Sequence, residues 1–228
     1  MAWTGKKFAG VGCGVLLIGA VVAAGTMTWY SSRIAGEYRK VQQSEKALVA
    51  ATTTVAAYVP PADGVPAPGR LETFAAVRER TAEWRTRLAA ENRRFAAGTG
   101  NWWRRADEAS DLAQTLAGFW LARNEALTAA ALGPDEYTWL YGLVYYGWQG
   151  HDPEAGRQPG TEMAGGVTTT DRDRADTLRA LWKDGVSVGA ALHLEALRNR
   201  LLAGWTEDTN PVELIFTGDA DGDQDTGR

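Results

Sequence analysis

His151-Asp152 is a contiguous imidazole–carboxylate pair, made of residue types that general acid–base chemistry uses most. It falls in a polar stretch over 150–169 that is rich in Gly and Pro, and a loop of that length holds reacting groups poorly. The pair therefore reads as part of a contact surface. Asp135-Glu136 comes next. Apolar surroundings raise a carboxyl pKa and make an acid, which would suit a carboxylate-dependent hydrolase. Negative charge at a helix start accounts for the two residues more simply. His193, between Leu192 and Leu194, reads as a packed or edge histidine on a helix. The sequence has no serine in a nucleophile-elbow context, no phosphate-cradling Gly loop and no H-E-x-x-H spacing.

Asp219, Asp221, Asp223 and Asp225 alternate as in the front half of a calcium loop, but Gln224 stands where the sharp turn needs glycine and no closing bidentate carboxylate follows. This segment reads as a solvated acidic tail. The single cysteine, Cys13, excludes a disulfide framework within the chain and a thiolate metal cluster. Catalytic, cofactor and metal sites are therefore expected to be none. A net charge of −4 leaves no basic footprint for nucleic acid.

The strongest signal lies elsewhere. After Lys6 and Lys7, the run from Phe8 to Tyr30 carries no charged residue. At about 1.5 Å per helical residue it is long enough to cross about 30 Å of hydrocarbon. Trp3 before it, and Trp29 and Tyr30 at its end, suit headgroup depth. The reading is a single-pass signal anchor, with residues 1–7 cytoplasmic and the bulk of the chain extracytoplasmic. The competing reading is a secretory signal cleaved near Gly25, which would release a helical binder of small ligands. Gly10 and Gly14 form a G-x-x-x-G, which lets a second membrane helix approach closely and makes a homodimer through that helix a candidate.

Residues 31–59 read as a helical stalk whose thin apolar stripe runs through Tyr38, Val41 and Leu48. The Pro- and Gly-rich segment 60–69 cannot continue a helix and reads as a hinge. Residues 70–204 read as a helical bundle. Leu71 to Ala97 is patterned as one helix, with Phe74, Val77, Thr81, Trp84, Leu88 and Phe95 on its packing face. Arg78, Arg80, Arg85, Arg87, Arg93 and Arg94 are expected on the opposite, solvated face, laced with ion pairs. Asn101 caps a helix from Trp102 to about Leu132, and Gly133-Pro134 ends it and starts the next. Tyr137 to Gln149 is apolar or aromatic almost all round, so it should be central, with Arg123 and Glu125 as candidate partners for its buried polar tips. Thr170 and Ser187 are candidate caps for two further helices, the second over Val188–Ala203, and Val212 to Phe216 reads as a short extended piece before the tail at 205–228.

The ten tryptophans are the compositional anomaly. Most fall on helical apolar stripes and read as core; Trp139, Tyr145 and Trp148, together with His151 and Asp152, are the candidate interaction residues if some of them line a groove. The fold class is thus all-α: a membrane helix followed by a bundle of about four or five helices with an aromatic-rich core. The Arg and Ala bias suggests a bacterium with a GC-rich genome. The functional expectation is a non-catalytic interaction or scaffolding domain at the cell envelope, with the lipid bilayer and an envelope protein as partners.

Overall fold

The computed structural model describes residues 35–52, 58–98, 101–155 and 185–216, and every regular element among them is helical. The run from Phe8 to Tyr30, Gly10, Gly14, Cys13, the Thr170 cap with its helix, and the acidic repeat of Asp219 to Asp225 lie outside the described residues. No helix among the described residues is long and apolar enough to cross a membrane.

Helix α1 covers 35–52. Val41 and Leu48 stand seven residues apart and are both completely buried, so α1 packs into the body of the molecule and is not a free stalk. Its neighbour is α4. Tyr38 packs edge-on to Trp120, Asn124 donates to Ser44 Oγ at 2.9 Å, and Thr52 lies beside Gly133. Residue numbers rise together along both helices, so α1 and α4 run parallel. The 60–69 segment is non-helical up to Gly69, as its prolines require.

The expected helix from Leu71 to Ala97 is two helices, α2 (Arg70–Arg80) and α3 (Ala82–Ala97), with a break at Thr81. Thr81 Oγ1 donates back to Val77 O at 2.9 Å and shares Arg78 O at 3.3 Å. Such back-bonding to the preceding turn bends helices, and here it turns the chain where two arginines must enter the interior. Asn101 caps α4 (Trp102–Ala129) as expected, with Oδ1 accepting from Arg104 N–H at 3.1 Å. Helix α3 returns along α4 as a hairpin. At Gly118 the two approach so closely that a Cβ would fall into the Trp84 ring.

The end of α4 departs from expectation. Ala131, not Gly133, takes the left-handed conformation, at φ 47. Leu132 N–H donates to Leu127 O at 3.0 Å and Ala131 N–H to Thr128 O at 3.1 Å, which is a Schellman closure with alanine where glycine is favoured. Gly133 instead precedes α5 (Pro134–Tyr141), which continues into a π-helical segment, Gly142–Trp148. This element is central: Tyr137, Leu140, Tyr141, Leu143, Val144 and Tyr145 are at most 1% exposed.

Ser187 caps α6 (Val188–Ala196), and α7 (Arg198–Leu202) follows after a break at Leu197. A 3-10 turn at Glu207–Thr209 leads into α8 (Asn210–Glu213), so the piece expected to be extended begins as a helical turn. Residues 205–216 are not a loose tail: Thr209, Asn210, Glu213 and Phe216 are all buried. Two apolar clusters result. One surrounds α5 and the π segment with α2, the C-terminal half of α4, α6 and α7; the other joins Val41, Leu88, Ala117, Phe119 and Trp120 between α1, α3 and α4.

Candidate functional site

Two arginines expected in water are instead the centre of the structure. Arg78 is 1% exposed and forms an ion pair with Glu213, which is fully buried. Its remaining donors are also used: Nη1 reaches Tyr137 Oη at 2.9 Å, Nε reaches Tyr145 Oη at 3.2 Å, and Nη2 reaches the Gly204 carbonyl. Tyr137 Oη donates in turn to Glu213 Oε1 at 2.6 Å. Burial by itself opposes the charge on Arg78; the facing Glu213 carboxylate, with Tyr137 and the other phenols, outweighs it and holds the guanidinium well above its ordinary pKa. Burial also raises Tyr137 and Tyr141 well above the ordinary phenol value. Glu213 Oε2 is buried without a hydrogen-bond partner.

Arg85, one turn into α3, is buried as well. It donates to Thr81 Oγ1 at 2.6 Å and to the Arg78 carbonyl. Burial and then the like charge of Arg78 push its pKa down. The third buried cation, Arg123 on α4, holds backbone rather than tyrosine: Nη1 donates to Glu213 O at 2.8 Å and Ile215 O at 2.9 Å, and the guanidinium lies 3.9 Å from the Phe216 ring centre. Glu45 of α1 stands 3.6 Å from it. Glu125, the other expected partner, is exposed and faces Arg80 at 3.6 Å.

The tyrosines of the central element find their partner in Asn210. Tyr141 and Tyr146 donate to its Oδ1 at 3.1 and 2.9 Å, and its Nδ2 donates to Pro153 O and Ala155 O at 2.9 and 3.0 Å. Both donors and both acceptor positions of the amide are thereby used. A π turn closes from residue i to i+5, which brings positions five apart to one side and lets these two hydroxyls share an acceptor. Trp120 Nε1 adds a bond to Val212 O at 2.9 Å. Collectively these groups fasten residues 204–216 across α2, α4 and the π segment. Nothing about Arg78 or Arg85 as sequence separates them from their solvated neighbours except their position beside the break at Thr81; Arg123 was expected to serve the tyrosines and serves the backbone of 213 and 215 instead.

The candidate interaction residues part company. Trp139 and Tyr145 are buried core, at 5% and 0% exposure. Trp148 and His151 meet at the surface, where they line a shallow cleft of about 230 Å³ with Gln149, Arg198 and Leu202. His151 stacks on Trp205 at 4.1 Å and 7°, and its Nε2 lies 3.0 Å from Gln149 Oε1; burial lowers its pKa. Gln149 Nε2 is buried without a partner. Asp152 lies outside the cleft and caps the turn by accepting from Glu154 N–H at 2.9 Å. On α6, Val188 and Leu192, one turn apart, are 81% and 70% exposed, and Leu202 in the cleft wall is 46% exposed. His193 is exposed on the same helix.

Asp135 and Glu136 do open a helix, and Glu136 is committed to a bidentate pair with Arg70 at 2.7 and 2.6 Å. That carboxylate, after burial, contributes to holding the Tyr58 phenol up at about 12. Among the described residues, no three His, Cys, Asp or Glu side chains converge as metal ligands. No protein-family model matches the chain, and no curated protein and no solved structure matches it either.

Proposed function

We propose that this chain is a non-catalytic helical interaction module, tethered to the cell envelope by its 8–30 segment and docking a protein partner through the α6–α7 surface. The observation that carries the reading is the exposure of Val188 and Leu192 on α6 and of Leu202 on α7, the last of them lining the cleft with Trp148 and His151. Large apolar side chains left exposed on two consecutive helices suit a contact site. Aromatic and arginine residues at its border, with Arg198 lying 5.7 Å from the Trp148 ring centre, are the types that anchor interfaces. The buried ionic groups meanwhile serve to hold residues 204–216 in place, which suits a rigid platform.

The small-ligand reading draws less support. A cleft of about 230 Å³ falls below the roughly 300 Å³ at which sites for drug-sized ligands begin, and Trp139 and Tyr145 do not line it. The proposal is tested with the full chain in its native membranes, carrying a photo-crosslinking residue at Val188. Expected are retention through an alkaline carbonate wash and one discrete adduct that disappears in L192D/L202D. Release of a form starting near Gly25 would end the tether reading. Crosslinks that spread evenly over many proteins, or survive L192D/L202D, would end the docking reading.

A further inference from the structure

The α3–α4 hairpin has a tip that the core does not explain. Trp102 and Trp103 open α4, stack at 3.6 Å between ring centres, and are 52% and 44% exposed. They are the two largest side chains among the exposed apolar residues. Arg104 follows them in sequence, and Arg93 and Arg94 lie near the end of α3; all three are exposed and each already has a carboxylate: Asp208 at 2.8 Å for Arg93, Glu91 at 3.4 Å for Arg94 and Glu108 at 3.0 Å for Arg104. The tip is therefore an exposed, stacked aromatic pair whose adjoining Arg104 already has its counter-charge. Indole rings of this kind settle at the headgroup level of a bilayer.

The fold points this tip toward the end at which the chain enters. Since α1 and α4 run parallel, with Tyr38 level with Trp120, the N-terminal ends of both face the same way. From Trp120 back to Trp103 the α4 axis covers about 26 Å, whereas α1 extends only about 5 Å from Tyr38 back to residue 35. The tip thus projects about 21 Å past the first described turn of α1. However residues 31–34 are arranged, the chain from Tyr30 to residue 35 spans at most about 18 Å. A membrane segment ending at Tyr30 therefore leaves its headgroup layer within reach of the tip.

We infer that Trp102 and Trp103 form a second lipid contact, seated in the headgroup–acyl boundary of the bilayer that holds the 8–30 segment. The inference rests on the tether reading, because that reading supplies the bilayer and its direction. Two attachments at one end fix the tilt of the bundle relative to the membrane, and with it the height at which α6 and α7 present their surface. Insertion is driven by the rings and not by the arginines, so it should depend little on salt.

The test uses the full chain reconstituted into phosphatidylcholine–phosphatidylglycerol vesicles with ordinary or brominated acyl chains. Subtracting the emission of W102F/W103F from that of the unsubstituted chain isolates the two indoles; far-UV circular dichroism checks that the variant folds. The expected result is loss of this pair's emission in brominated vesicles and its protection from aqueous acrylamide. Emission untouched by bromine but quenched by acrylamide places the tip in water and overturns the inference. Emission resistant to both places a second copy or another protein over the rings and also overturns it. In those two cases the chain still floats with the vesicles and the tether stands. A chain that fails to float overturns tether and tip together.

Discussion

Breaking the Arg78–Glu213 pair should be among the most damaging changes available in this chain. Arg78→Met keeps the length of the stem and removes the guanidinium. It leaves Glu213 fully buried without its ion-pair partner, Oε2 already lacking a hydrogen bond, and it strips a partner from Tyr137, Tyr145 and the Gly204 carbonyl. Removing one member of a buried pair costs about 3–5 kcal/mol. Against a total stability of about 5–15 kcal/mol, that is a third or more. Glu213→Leu should cost a similar amount, since Arg78 then remains charged and fully buried without its counter-ion. The double variant R78M/E213L carries neither charge of the pair, so it should be less destabilised than the summed single variants by at least about 3 kcal/mol. The remaining deficit, about 1–3 kcal/mol, reflects the two phenols and the carbonyl left without their donor. Urea unfolding of the full chain in detergent micelles at pH 7.5, followed by tryptophan emission and near-UV circular dichroism, measures all three. Single variants that lose less than about 1 kcal/mol, or a cycle that closes additively, would refute the claim that this pair organises the interior.

Three further outcomes follow from the same geometry. Ala131→Gly should stabilise the chain by about 1 kcal/mol, because the left-handed position at the end of α4 carries a Cβ penalty that glycine lacks; thermal unfolding at neutral pH reads it, and no gain would count against the closure described. Gly118→Ala should destabilise by about 1–3 kcal/mol, since the new methyl meets the Trp84 ring and α3 and α4 must move apart, which the same melt detects alongside a change in Trp84 emission. His151 should titrate below its ordinary value of 6.5, because burial against Trp205 disfavours the imidazolium. Its contribution to stability is then complete above the unfolded-state value and is lost as pH falls from there through the folded value; a proton NMR titration of the ring with a midpoint above 6.5 would contradict this.

Much of the architecture was legible because it depends on local signals. Asn101 and Ser187 cap the helices they were expected to cap, Pro134 opens α5, and the unbroken apolar run from Tyr137 lies where an element without a polar face must lie. The failures come from interactions across long sequence separations. Arg78 and Arg85 read as solvated because their partners, Glu213 and Gly204 for the one and the bent Thr81 turn for the other, give no periodic signal. Thr81 fitted a helix face equally well as packing residue and as hinge, and only the second role breaks the helix. Residues 205–216 looked like the start of an acidic tail, since no apolar period runs through them; their burial rests in part on hydrogen bonds to Tyr141, Tyr146, Trp120 and Arg123, which pattern reading does not see. Ala131 was missed for the opposite reason: Gly133 advertised a C-terminal cap two residues too late, and alanine in a left-handed turn has no compositional mark.

The placement of residues 204–216 has a consequence for how the protein comes into being. The guanidiniums of Arg78 and Arg123 are made well before some of the groups that accept them: the Glu213 carboxylate and the carbonyls of 204, 213 and 215 are translated well over 80 positions afterwards. Until those residues leave the ribosome, the nascent body holds Arg78 without its carboxylate, Arg123 without the carbonyls it binds, and a ring of tyrosines with no amide to share. A message cut short anywhere before codon 213 would thus yield a product that lacks its keystone, exposed to quality-control proteases instead of surviving as a smaller working version.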